Sequence, residues 1–262
     1  MKIFVAVDSF KGSMGSIEAG TIIKEAIIEE IPEAEVKISP LADGGEGTVK
    51  ALVDGLKGKY IDVEVQGPLN EKIIAKYGAV DKVAIMEMAE SSGLTLVEKE
   101  KRNPLFTTTY GLGDMIKDAL DKNYREFIIG IGGSATSDVG LGMLQSLGFE
   151  FLDKNGNKVG IFGKDLENIA EIKDEKVDKR IYESTFQIAC DVDNPLFGKN
   201  GAAYIYGPQK GASKEDIIKL DKYTKNFSEI VKEKYKLENE NIKGTGAAGG
   251  LGACLLSFTD CE

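Results

Sequence analysis

A glycine-rich run in mid-chain, IIGIGGSATSDVGLG from Ile128 to Gly142, sets the tightest limit on what this sequence can build. Phe127, Ile128 and Ile129 read as the end of a buried strand, and Leu141, Met143, Leu144 and Leu147 recur as the apolar face of a helix. Between them stand Gly130, Gly132, Gly133, Ser134, Ala135, Thr136, Ser137 and Asp138. A turn of this kind leaves backbone N–H groups open at the positive end of a helix, which suits an anion such as phosphate. The same glycines also fit a plain tight turn that needs positive φ and close helix–strand packing. Neither named phosphate loop matches. A dinucleotide fingerprint wants a third glycine where Ala135 stands, although Glu150 lies roughly 20 residues downstream as that motif asks. A P-loop needs a Gly–Lys pair followed by Ser or Thr, and this chain has none.

The strand–polar loop–helix pattern recurs along the chain. Lys2 to Val7, KIFVAV, predicts a buried strand, and the loop after it carries Asp8, Ser9 and Lys11 before a helix marked by Ile17, Ile22, Ile23, Ala26 and Ile27. Glu35 to Ser39 predicts a second strand, leading through Asp43, Gly44, Gly45 and Glu46 into a helix over Val49 to Leu56. Asp43 and Glu46 suit Mg²⁺ binding, a base, or simple capping of that helix. Open α/β sheets place ligand chemistry at such strand ends. Tyr60–Val65, Lys72–Val80 and Val83–Met88 then predict strands with no helix between them, so the sheet is partly antiparallel. Thr107, Thr108 and Thr109 precede a helix over Gly113 to Leu120, which capping explains best.

Beyond the glycine run, Phe149 to Val159 predicts a hairpin through Asn155–Gly156, and the stretch to Val177 a polar surface segment. Phe186–Ala189 predicts a strand ending in Cys190, Asp191, Val192, Asp193 and Asn194. Two aspartates spaced i, i+2 at a strand end suit one hard cation or a hydroxyl, or merely share a strand face. Lys210 repeats the Lys11 pattern, Ser213 reads as a helix N-cap, and Gly244 to Gly252 forms a second glycine-rich segment before an apolar helix. We place a domain boundary near Gly58, with a first α/β unit over 1–58, a second over 59–243, and residues 244–262 returning to the first.

Composition narrows the chemistry. The chain has 262 residues, a net charge of −10 and no histidine. That removes Ser–His–Asp triads, Cys–His pairs and His-ligated zinc, and with no basic patch it argues against nucleic acid or a membrane surface as partner. Cys190, Cys254 and Cys261 are odd in number and lack C-x-x-C spacing, so they read as reduced packing residues of a cytoplasmic protein. An anionic substrate then needs local help from lysines, backbone N–H groups or a divalent cation. Oligomeric state is not legible.

The loops DSFKGS, PLADGGEGT, GIGGSATSD, ACDVDNPL, GPQKGA and GAAGGLGA, in this order, resemble those of the bacterial glycerate kinase family over effectively the whole chain. The resemblance implies a Rossmann-like α/β domain with a second, mixed-sheet α/β domain inserted in it, and an active site in the cleft. It implies transfer of the ATP γ-phosphoryl group to a hydroxyl of D-glycerate with Mg²⁺. Carried onto this sequence, Lys11 and Lys210 contact phosphate or carboxylate, and Gly132, Gly133, Ser134 and Thr136, with Asp138, hold an anion. Asp191 and Asp193 bind Mg²⁺ or accept the hydroxyl proton, with Asp43 next. Ser9, Gly44, Gly45, Glu46 and Asn194 complete the substrate and phosphate contacts.

Two departures stand out. The family reads GGSATNDGG where this chain has Ser137 and Val139, and members continue past the GAAGGLG segment. The second departure predicts a truncated chain with an incomplete first domain, and the rival function is an inactive ligand-binding remnant. An NAD-dependent oxidoreductase rests only on Gly130, Gly132 and Glu150, and Ala135 opposes it.

Overall fold

The structure, a computed structural model, describes residues 1–8, 10, 13–41, 47–238 and 242–261. Ser9, Lys11, Asp43, Gly44, Gly45 and Glu46 lie outside the described residues.

The chain opens with β1 (Lys2–Val7), α1 (Ser16–Glu30), β2 (Glu35–Pro40) and α2 (Thr48–Leu56). β1 and β2 pair in parallel, Lys2 opposite Glu35 and Val5 opposite Ile38, and α1 packs on both. KIFVAV is not the buried strand its composition predicts: Val5 is buried, but Phe4 is 62% exposed. With one neighbouring strand and one covering helix, β1 has a face and an edge with nothing packed on them among the described residues.

A larger sheet holds the centre. β3 (Lys59–Gln66), β4 (Lys72–Val80) and β5 (Val83–Glu87) form the antiparallel meander expected from strands joined without helices. β6 (Glu126–Gly130), β9 (Thr185–Ala189) and β10 (Asp260–Cys261) continue the sheet in parallel with β5, in the order β10-β9-β6-β5-β4-β3. Sheets of this mixed kind need cover on both faces where the strands are parallel. α2 covers one face through Val49 and Val53 against Ile85. α3 (Ala89–Ser92), α4 (Tyr110–Asp121), α5 (Leu141–Ser146), α6 (Ala202–Tyr206), α7 (Lys214–Tyr235) and α8 (Ala247–Phe258) follow along the chain. The main core gathers on the opposite face, where Met86, Phe127, Ile129 and Phe186 meet residues of α4, α5, α7 and α8. Phe127 and Phe186 stack across β6 and β9 with centroids 4.7 Å apart, an arrangement worth about 1 kcal/mol beyond area burial.

Local signals explain several boundaries. Ser213 caps α7 in a reciprocal box, its hydroxyl accepting from the Asp216 N–H while Asp216 accepts from the Ser213 N–H. The expected 149–159 hairpin exists as a tight turn, with a bridge between Leu152 and Lys158. β7 (Glu150–Leu152), however, finds its full partner in β8 (Glu171–Lys173). The 161–177 segment is less peripheral than its polarity suggests, because Leu166, Ile169, Ile172 and Val177 are buried.

The second glycine-rich segment bends sharply. Ala248, Gly249 and Gly250 all adopt left-handed backbone at the start of α8. At Gly249 a Cβ would collide with the Thr136 carbonyl and the Ser137 Cα, so the two glycine-rich runs pack backbone against backbone. Val139 donates its N–H to the Gly249 carbonyl at 3.2 Å, closing the contact. Residues 244–261 therefore join the larger sheet's core, and β10 extends that sheet beside β9.

Candidate active site

Three neighbouring strands finish level with one another. Glu87 at the end of β5 is in register with Gly130 at the end of β6, which is in register with Ala189 at the end of β9. Residues 131–134 and 189–192, at and just beyond these ends, form one wall of a cleft of about 830 Å³. The facing wall comes from the β1–α1 and β2–α2 connections, including Asp8, Ser13, Ser16, Leu41, Gly47 and Lys50. The site thus sits at the carboxyl ends of strands, where open α/β sheets leave backbone donors and loop side chains free to meet a ligand. A smaller hollow between α7 and α8 is lined mainly by apolar side chains, among them Val139, Leu196 and Phe227, and holds no charged group.

Gly132, Gly133 and Ser134 line the cleft, as does Lys210 from the distant GPQKGA loop. The Lys210 side chain is 2% exposed, and its Nζ donates to Ser134 Oγ at 2.8 Å and to the Thr136 carbonyl. Burial pushes its pKa down to about 7, with the Asp138 carboxylate offsetting part of that cost. Thr136 and Ser137 are buried, and their hydroxyl oxygens have no hydrogen-bond partner. A buried unsatisfied hydroxyl costs free energy, so two together mark a place where a ligand atom or water is called for.

Asp191 is exposed and lines the cleft. Asp193 does not line it; its carboxylate meets Lys243 Nζ at 2.7 Å, at the surface. Asn194 is spent on structure. Its Oδ1 accepts from the Tyr206 hydroxyl, and its Nδ2 donates to the Asn200 carbonyl at 3.0 Å.

Asp138 also turns inward. It is fully buried and accepts from the Thr109 N–H and hydroxyl and from the Gly140 and Gly142 N–H groups. Burial pushes its carboxyl up, and these donors pull the other way. Asp138 is therefore a buckle for the glycine run and the Thr107–Thr109 loop, not a cleft residue. Glu150, the remaining hint of a dinucleotide site, pairs with Lys158 and Lys176 at the β7 turn, outside the cleft.

Sequence reasoning missed Lys50, Tyr206 and Gln209, all of which line the cleft. Lys50 sits in the first turn of α2, and Tyr206 and Gln209 shortly precede Lys210, a proximity visible in the chain. The first turn of α1, Ser16 to Glu18, faces the cleft too, and its N-cap Gly15 makes no side-chain cap. Open N–H groups at that end favour an anion, an effect that matters in a chain of net charge −10.

The residues that line the cleft fit Mg²⁺ and the phosphates of a nucleotide in their chemistry. Among the described residues no three carboxylates or thiols gather into a cage. Mg²⁺ needs none, because it is commonly held by one or two carboxylates together with phosphate oxygens. Asp191 offers such a carboxylate, and Gly132 to Ser134, Lys50 and Lys210 offer donors to phosphate.

A mixed α/β sheet gathers backbone donors, Lys50 and Lys210, and the Asp8, Glu18 and Asp191 carboxylates in one cleft at its strand ends, which defines a site for a small-molecule ligand. The sequence profile of the Glycerate kinase family matches residues 3–262. The chain belongs to the glycerate kinase family. It is 48% identical over 262 residues to the glycerate kinase of Halalkalibacterium halodurans, covering 99% of this chain and 69% of that one. With the glycerate 2-kinase of Escherichia coli it shares 44% identity over 264 residues, covering 100% of this chain and 69% of the relative. A crystal structure assigned as glycerate kinase 2 from Salmonella typhimurium LT2 superposes with a TM-score of 0.93 at 43% identity, covering 100% of this chain and 71% of that one. The profile match runs to residue 262, and the chain spans 69% of the length of the Halalkalibacterium halodurans relative and of the Escherichia coli one. No helix among the described residues is long and apolar enough to cross a membrane.

Proposed function

We propose that this cleft transfers the γ-phosphoryl group of ATP to a hydroxyl of D-glycerate. The observation that carries the reading is the convergence on one cleft of Asp191, the Gly132–Ser134 turn and Lys210, which belong to three separate loops. Phosphoryl transfer asks the protein for positioning and charge neutralisation rather than covalent chemistry, so the absence of histidine is no obstacle. Gly132 to Ser134 would receive phosphate oxygens through backbone N–H groups, with Lys50 supplying positive charge from the facing wall. Asp191 would accept the substrate hydroxyl proton or hold Mg²⁺. Bound Mg²⁺ would neutralise phosphate oxygens and bring nucleotide and acceptor into line. Lys11 and Asp43, near in sequence to the cleft-lining Phe10, Ser13 and Leu41, are proposed as further contacts to phosphate or carboxylate and to metal. The division into a first unit over 1–58 and a second over 59–243 is likewise proposed, with the cleft between them and with residues 244–261 assigned to the second unit, whose sheet and core they join, rather than to the first. In a cytoplasmic setting neither nucleic acid nor membrane is part of this reading.

The test is ATP turnover by the purified chain with D-glycerate and Mg²⁺, with the product read by ³¹P NMR to show which hydroxyl is phosphorylated. ADP release that depends on both glycerate and Mg²⁺ supports the reading. Turnover indifferent to glycerate, or none, overturns it.

A further inference from the structure

The helix that carries Lys50 into the cleft begins without a cap of its own. Its N-cap residue is Gly47, at φ +96°, which has no side chain to accept from the first-turn N–H groups. Yet a helix start leaves several donors unmet, and leaving them so inside a protein is costly. One is met from far along the chain: Glu87, 6% exposed, places Oε1 2.7 Å from the Val49 N–H. A carboxylate there also sits favourably at the positive end of the helix dipole.

The geometry makes this contact more than a local repair. Glu87 is the last residue of β5, level with Gly130 and Ala189, whose following loops build the opposite wall of the cleft. At its start α2 otherwise rests on the sheet through apolar contacts of Val49 and Val53 with Ile85, and its later half is tied at the surface by the Tyr60 hydroxyl of β3, which donates to Asp54 at 2.8 Å. It lies so close to β4 that a Cβ on Gly78 would collide with Val53 Cγ2. Apolar packing fixes how near the helix lies but is weakly directional. A short hydrogen bond from a buried carboxylate to one named N–H is directional, and it sets where the first turn of α2 stands along the sheet.

We propose that Glu87 is a positioning residue for phosphoryl transfer. It acts as a remote N-cap, registering the Gly47–Lys50 wall of the cleft against the strand ends that carry Gly132–Ser134 and Asp191. The proposal deepens the kinase reading and rests on it for the consequence in catalysis.

The experiment compares the parent chain with Glu87→Gln, which keeps an oxygen acceptor, and Glu87→Leu, which keeps the volume and removes the acceptor. Amide exchange at Val49 and steady-state kinetics are measured on all three, with circular dichroism to verify folding. Losing a helix cap should cost roughly a five- to thirty-fold fall in kcat/KM in Glu87→Leu, with Glu87→Gln restoring it to within about three-fold. Val49 exchange should quicken in Glu87→Leu and stay near parental in Glu87→Gln. Equal loss in both variants would mean that the charge itself acts on substrate or metal, overturning the positioning role. Fast Val49 exchange with unchanged kinetics would reduce the contact to a stability device. If Glu87→Leu does not fold, Glu87→Gln decides: a parental amide with near-parental kinetics upholds the cap, and a large kinetic loss overturns it. Absence of turnover in the parent counts against the kinase reading alone, since Val49 exchange still judges the cap.

Discussion

Lys210 Nζ donates to Ser134 Oγ at 2.8 Å inside the protein, joining the GPQKGA loop to the glycine run that forms the cleft wall. A buried ammonium is costly unless hydrogen-bonded, and its proton is held less firmly than in water.

A pH dependence follows. The Lys210 pKa falls from 10.5, its ordinary value, to about 7 in the folded chain. Between those values the unfolded chain binds more protons at this site than the folded one, so folding stability rises with pH across that window and the penalty is complete below it. Lys210→Met lacks the titration. The melting temperature of the parent relative to Lys210→Met should climb from pH 7 to pH 10. A flat difference over that range would falsify the buried-lysine account.

Asp191 and Asp193 should behave differently despite their spacing. Asp191 faces the cleft, whereas Asp193 is held at the surface by Lys243. On the kinase reading, Asp191→Asn should lower kcat by about 100-fold or more. Asp193→Asn should change it less than about ten-fold, since a surface pair contributes little. Side-by-side turnover measurements decide, and the reverse order would shift the role to Asp193.

Val139 is a buried β-branched residue at φ +51°. That left-handed backbone costs a non-glycine residue roughly 1–2 kcal/mol, while the buried side chain returns about 2 kcal/mol. Val139→Ala forfeits most of the burial and keeps the strain; Val139→Gly forfeits the burial and relieves it. The glycine variant should therefore be at least as stable as the alanine variant in urea unfolding, although glycine ordinarily ranks below alanine. A clearly less stable glycine variant would show that position 139 is not strained.

Removing Asp138 should hurt stability before chemistry. Asp138→Ala strands the Thr109, Gly140 and Gly142 N–H groups in a fully buried place. The loss should be about 3 kcal/mol, a fall in melting temperature of roughly 10 °C. A scanning calorimetry shift of only a degree or two would mean that water reaches those donors.

Much of this was legible in the residues. Strand runs such as Phe186–Ala189 and the Ser213 cap announce themselves through short-range chemistry, and the meander followed from the lack of helices between Tyr60 and Met88. The strand-end loops also marked the cleft, since Gly132, Ser134, Asp191 and Lys210 meet there. What the sequence hid was direction. Asp138 and Asp191 are both loop aspartates beside small residues, and only packing sends one inward to four donors and the other into the cleft. The partners that Asn194 and Asp193 take, Tyr206 and Lys243, were not legible because they lie outside any local pattern. KIFVAV read as buried because hydrophobicity reports what a strand prefers, not how many neighbours it has.

The backbone contact of Gly249 with Thr136 and Ser137 also bears on how the molecule comes together in time. One wall of the cleft cannot be finished until a segment near residue 249 has been made and docked against the glycine run. Contacts of such long sequence separation form slowly, because the chain must first close a large loop. Helical signal should therefore return early in refolding and ligand-binding competence late. During synthesis, much of the larger sheet can be paired while the cleft is still one-sided, and the last part of the core and the last part of the site arrive together with α8.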